Sequence, residues 1–150
     1  MFAIIHILLG SLIGLNLNSI ILIILLSLAS HFLLDVLPHW DGTYEKKLFQ
    51  SNGKMTENKP TFIIRFIDFS LAFIIIVLLY LHFNSKLLVL GALVAVLPDI
   101  AKIGYLTSLK NKKFYIDYLK FHSKIQGNAG FKLGLIIQAI ILIIILLLLL

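Results

Sequence analysis

Four side chains able to bind metal, His31, Asp35, His39 and Asp41, fall within eleven residues of a chain that is only 13% charged. They sit in the stretch Ser30-His31-Phe32-Leu33-Leu34-Asp35-Val36-Leu37-Pro38-His39-Trp40-Asp41. On a helix His31 and Asp35 share one face, with Cβ atoms roughly 5–6 Å apart. Pro38 opposes continuation of that helix, so His39 and Asp41 are expected on the turn just beyond it. Neutral imidazole together with carboxylate suits Zn, Mn or Fe better than Ca or Mg, and Zn best. A site of that kind with an open position polarises a scissile bond and activates water. The alternative is a buried hydrogen-bonded His31–Asp35 pair that locks helix packing.

Other ionisable groups extend the candidate set. Asp99 follows Pro98 and reads either as a ligand or as the cap of a following helix. Arg65 and Asp68 are three apart and either pair with each other or divide the work, Arg65 holding an anionic substrate and Asp68 ligating metal. His6 interrupts an apolar run and is either a ligand or a packing residue. The expected metal ligands are therefore His6, His31, His39, Asp35, Asp68 and Asp99, with catalytic roles on Asp35, Asp99 and Arg65. His122, on the interfacial segment at the same side as these groups, either joins them or, close to Lys and Tyr residues, merely faces lipid headgroups. His82 reads as snorkelling at an interface, and Trp40 with Tyr44 fits an aromatic belt or a substrate platform.

The elements that must position these groups are apolar. The 150 residues are 60% hydrophobic, with a mean hydropathy of +1.04, well beyond a soluble domain, which is nearer half apolar and a quarter charged. The expected fold is all-α: one polytopic membrane domain over residues 1–150, with four to five transmembrane helices and an interfacial amphipathic helix. The absence of cysteine excludes disulfides, thiolate metal sites and cysteine nucleophiles. A net charge of +6 would suggest nucleic acid in a soluble chain; here the lysines lie between apolar runs and read as topology and headgroup contact, with no nucleic-acid partner.

In chain order, residues 2–15 form a short apolar segment in which Gly10-Ser11-Leu12-Ile13-Gly14 is a small-xxx-small pattern suited to close helix packing. It has neither a basic flank nor a convincing cleavage site, so a signal peptide is not expected. Residues 19–37 form a second helix, 38–60 a polar loop, and Pro60 opens a third helix that runs to about Phe83. The fourth, Leu87 to Leu97, is expected to end at Pro98-Asp99 and to resume through Ile103 to Leu109. Asn111 to Gln126 reads as amphipathic, with Phe114, Tyr118, Phe121 and Ile125 on its apolar face. Residues 131–150 read as a C-terminal anchor helix. Asp35-Val36-Leu37-Pro38-His39 resembles Ala95-Val96-Leu97-Pro98-Asp99, which suggests a hairpin repeat over 1–60 and 61–110.

Ten of the twelve lysines lie in the loops at 38–60 and 98–130, which antiparallel order puts on the side of the N-terminus. The positive-inside rule then places that side in the cytoplasm of a bacterial-type inner or plasma membrane, with the C-terminus outside. His6, His31, Asp35, His39, Asp68 and Asp99 would all gather near that face. This pattern points to a metal-dependent hydrolase acting on an ester or phosphoester of a lipid-like substrate at the cytoplasmic interface. The rival classes are a small ion- or proton-binding transporter and a non-catalytic membrane protein, with a homo-oligomer able to build a path that one chain lacks.

His6 four residues before Gly10, the segment Ser30 to Asp35, and Gly91-Ala92-Leu93 leading to Leu97-Pro98-Asp99 resemble the predicted membrane-bound metal-dependent hydrolases, the YdjM-like group. The resemblance covers roughly the first hundred residues. It implies a small polytopic protein with a metal at His31, Asp35 and Asp99, His6 being a further ligand. Where that family has an acidic or His residue after the aspartate, this chain has Ile100-Ala101-Lys102.

Overall fold

The computed structural model describes residues 1–40, 59–102, 109 and 112–149, with backbone alone at 59–61. Asp41, Tyr44 and the resumption of the fourth helix through 103–108 lie outside them. Among the described residues the chain forms six α-helices and no strand. They are α1 (Ala3–Asn16), α2 (Ile20–Val36), α3 (Lys59–Phe83), α4 (Lys86–Ala101), α5 (Lys113–Ile125) and α6 (Phe131–Leu149).

The starts and stops follow from local chemistry. Ser19 and Ser85 accept from the backbone N–H of Leu22 and Leu88, capping α2 and α4. Asn84, at φ 48°, takes the left-handed conformation that joins α3 to α4, which its short polar side chain tolerates. Phe2 offers α1 no side-chain cap. Asp68 of α3 supplies it from across the bundle, accepting from Ala3 N at 2.6 Å and Ile4 N at 3.3 Å. A carboxylate there also meets the positive end of the helix dipole.

The helix at the centre is α1. It packs on α2, α3, α4 and α6, and most extensively on α4. That contact depends on glycine: a Cβ built on Gly10 would fall on the Gly91 carbonyl, and one on Gly91 would fall on the Gly10 carbonyl. The small residues expected to allow a close approach do so here, and Ala3, Ile7, Ala72, Ala92 and Val96 fill the seam around it.

Two helices, Phe62–Phe83 and Phe131–Leu149, are long and apolar enough to cross a membrane, fewer than the four to five expected. The remainder fall short on length: α1, α2 and α4 have 14, 17 and 16 residues, so they rise only about 21–26 Å against a hydrocarbon core of roughly 30 Å. The core helix of a soluble protein would be mostly buried, whereas these two long helices leave Phe66, Phe73, Leu81, Ile136 and Leu147 exposed. Broad apolar exposure of this kind suits contact with lipid.

Two boundaries differ from the sequence expectation. Helix α4 does not stop at Leu97 but carries Pro98 inside its last turn and ends at Ala101. Pro98 removes one donor from the ladder, the one that would bond the Val94 carbonyl, and the helix ends three residues later. Helix α5 buries Tyr115, Leu119 and His122 and leaves Phe114 and Phe121 exposed, so its inward stripe is rotated from the one expected. Hydroxyls decide that rotation. Tyr118 donates to Pro98 O at 2.5 Å, and the Tyr115 hydroxyl lies 3.1 and 2.9 Å from the carbonyls of Ala101 and Lys102. These contacts satisfy carbonyls left without partners where α4 ends.

Candidate metal centre

The last turns of α2 bring His31 and Asp35 onto one face, and both are wholly buried. Beyond α2 the chain is held by the segment that follows α5. Gly127 N donates to Asp35 O at 2.7 Å, and Ala129 N donates to His39 O at 2.9 Å. A Cβ at Gly127 would collide with the carbonyls of Val36 and Leu37, so only glycine lets the two backbones lie this close. These bonds fix the Asp35–His39 stretch against the segment that follows α5.

His31 Nδ1 lies 2.7 Å from Ala95 O. A carbonyl only accepts, so Nδ1 carries the proton and Nε2 presents a lone pair. That lone pair faces His122 Nε2 at 3.1 Å and Asp35 Oδ2 at 3.4 Å, and His122 Nε2 is 3.5 Å from the same oxygen. The three atoms form a nearly equilateral triangle. Donors around a tetrahedral ion with bonds of roughly 2.0–2.1 Å stand about 3.3 Å apart, which matches those edges. Asp99 completes a group of four whose ligand atoms all lie within 4.8 Å of one another. One proton shared between the imidazoles would leave Asp35 Oδ2, fully buried, with no hydrogen-bond partner. A cation in the triangle satisfies all three atoms, so the residues present fit a divalent metal.

The remaining candidates surround this group. His6 Nε2 is 3.2 Å from Asp35 Oδ1 and 4.0 Å from Asp99 Oδ2, and its ring stacks on His31. His39 Nδ1 is 2.7 Å from Leu37 O, which turns its Nε2 lone pair toward the Met1 α-ammonium at 2.6 Å. That ammonium also donates to Asp35 Oδ1 at 2.7 Å. Asp68, expected as a ligand, instead spends both oxygens on the amides that begin α1. Arg65 lies one turn before Asp68 on α3, partly buried and outside the group of four. His82 is exposed at the far end of α3, its ring edge-on to Phe83.

Three contributors had no assigned place in the metal-ligand set. His122, whose role the sequence left open between the cluster and the headgroups, is 1% exposed and central. The spacing Tyr115-Leu119-His122 would have revealed it, since i, i+4 and i+7 mark one helix face. Lys102 donates to Asp99 Oδ1 at 2.6 Å, a second cation on the cluster beside the Met1 ammonium. Gln138, on the helix read as a plain anchor, is buried; it accepts from Phe2 N at 3.1 Å and donates to Trp40 O at 2.8 Å. A lone Gln amid isoleucine and leucine was a visible signal for it.

Burial, and then the charge of Lys102, lower the His122 pKa from 6.5 to about 4, so its imidazole is neutral and able to ligate at physiological pH. Burial pushes the Tyr118 phenol up, with Asp99 adding to the shift, and keeps it a donor.

Compared with protein-family models, curated proteins and solved structures, the chain matches none.

Proposed function

We propose that this chain is an integral membrane, metal-dependent hydrolase that cleaves an ester or phosphoester of a lipid-like substrate. The observation that carries the reading is the triangle of His31 Nε2, His122 Nε2 and Asp35 Oδ2, three buried acceptors converging with edges of 3.1–3.5 Å. A divalent ion there, Zn by ligand type, supplies Lewis acidity and a nucleophile at neutral pH.

The chain's own residues divide the rest of the work. Ala95 O holds His31 in the tautomer that ligates through Nε2. Asp99, at 10% exposure, is the most open of the four and is placed to accept a proton from water at the mouth of the site. Lys102, 23% exposed, orients an anionic group beside it, a role expected from the sequence of Arg65 or a nearby Lys. Phe32 and the exposed Phe121 pack with centroids 5.9 Å apart, and Phe32 lies 6.0 Å from His122, an apolar approach for an acyl chain.

All these groups lie at one end of the bundle, together with the start of α1. That favours an enzyme over a transporter, which needs access from both sides. The resemblance to the YdjM-like hydrolases supports the same class. By the lysine distribution this end faces the cytoplasm.

The test is hydrolysis of lipid carboxyl esters and phosphoesters in mixed micelles by the purified chain. Activity abolished by chelation, restored by Zn and lost in Asp35→Asn supports the reading. A metal-loaded protein that turns over neither class overturns it.

A further inference from the structure

We infer that the centre is dinuclear: Asp35 and Asp99 bridge the ion held by His31 and His122 to a second divalent cation held by His6. This rests on the metal-centre reading above and extends it. Each carboxylate divides its two oxygens between two sets of imidazoles. Asp35 directs Oδ2 to His31 and His122 at 3.4 and 3.5 Å, and Oδ1 to His6 at 3.2 Å and His39 at 3.9 Å. Asp99 repeats the division, with Oδ1 at 4.0 Å from His122 Nε2 and Oδ2 at 4.0 Å from His6 Nε2. Two donors on opposite sides of one ion stand at most about 4.2 Å apart, so these spans fit shared ligation.

His6 supplies the independent observation. It is wholly buried; Nε2 faces Asp35 Oδ1 at 3.2 Å without the geometry of a hydrogen bond, and Nδ1 has no partner. A buried imidazole without a partner is costly, and native proteins rarely leave one unexplained. A cation at Nε2 would satisfy that nitrogen and relieve its share of the cost. His6 and His31 stack with centroids 4.1 Å apart and planes 26° apart, so each can serve its own ion side by side. Paired catalytic metals are roughly 3.5–4 Å apart, close to that stacking distance.

Two dications carry more charge than two carboxylates cancel, which leaves the centre attractive to an anion. Paired ions also clamp both the entering and the leaving oxygen of a phosphoryl group. A phosphoester is a substrate class that suits such a centre. The competing occupant of the second position is the Met1 ammonium, which now contacts Asp35 Oδ1 and His39 Nε2. A single positive charge there would leave the centre mononuclear.

The experiment is a Mn2+ titration of the chelator-stripped full chain in detergent, read by bound-metal analysis and low-temperature electron paramagnetic resonance. The expected result is two Mn2+ per chain with an exchange-coupled spectrum. His6→Ala should reduce this to one Mn2+ with an uncoupled six-line signal, while His82→Ala keeps two. One uncoupled ion in the unaltered protein overturns the dinuclear centre and leaves the single-metal reading intact. No bound ion overturns both. Two coupled ions retained in His6→Ala overturn the assignment of His6. If that variant does not fold, the stoichiometry and coupling of the unaltered chain decide.

Discussion

His31 and His122 are 91 positions apart in the chain, yet their Nε2 atoms meet at 3.1 Å beside Asp35 Oδ2. The pairing joins α2 to α5. His122→Ala should therefore weaken metal binding by more than the loss of a residue that merely supports a ligand, at least about 100-fold. Calorimetric titration of Zn into the metal-free variant measures it. Unchanged affinity would remove His122 from the ligand set.

Helix α6 should not be interchangeable with an arbitrary apolar span. Gln138→Leu keeps the volume but leaves Phe2 N and Trp40 O without the partners they have now. Orphaning such groups costs about 1–3 kcal/mol, visible as a lower midpoint of thermal denaturation in detergent. A midpoint equal to that of the unaltered protein would return α6 to the role of an anchor.

The fold class was legible because apolar composition and proline and glycine punctuation act locally. Ser19, Asn84 and Gly10 behave as their residue types dictate. So was the core of the site, His31 with Asp35, since four positions on a helix place two side chains together. Contacts across the bundle were not legible. That Asp68 caps α1 rather than binding metal depends on how α1 crosses α3, which no local pattern encodes. His122 was hidden by phenylalanines: Phe114 and Phe121 define a stripe by hydrophobicity, but in lipid the apolar side can face outward while tyrosine hydroxyls dock inward. Among the described residues two helices reach spanning length, fewer than the four to five expected, since apolar content shows affinity for lipid and not the length needed to cross it.

The metal-free protein should lose stability on acidification, in part through His122. Its imidazole is held at about 4 in the folded chain against 6.5 when unfolded. Between those values the unfolded state binds more protons, so stability is greatest above pH 6.5 and falls as pH drops toward 4. His122→Gln should flatten this slope. Denaturation midpoints from pH 7.5 to 4.5 measure the difference, and parallel curves for the two proteins would contradict it.

Lys102→Met should separate substrate binding from metal binding. The lysine is partly exposed, so its contribution to holding an anion is about 1 kcal/mol, or roughly a fivefold rise in KM. Bound metal should be unchanged or tighter, because a competing cation on Asp99 is gone. Loss of metal in this variant would show that Lys102 positions Asp99 and does not meet substrate.

The most direct test of the metal centre is Zn content with X-ray absorption on detergent-purified protein, alongside Asp35→Asn and a His82→Ala control. The account predicts tightly bound Zn with only nitrogen and oxygen neighbours at about 2.0–2.1 Å and imidazole scattering from two or more histidines. It further predicts sharp loss of Zn in Asp35→Asn and full retention in His82→Ala. Zn retained in Asp35→Asn, or bound Zn without imidazole scattering, would contradict it and leave His31 and Asp35 as a packing pair.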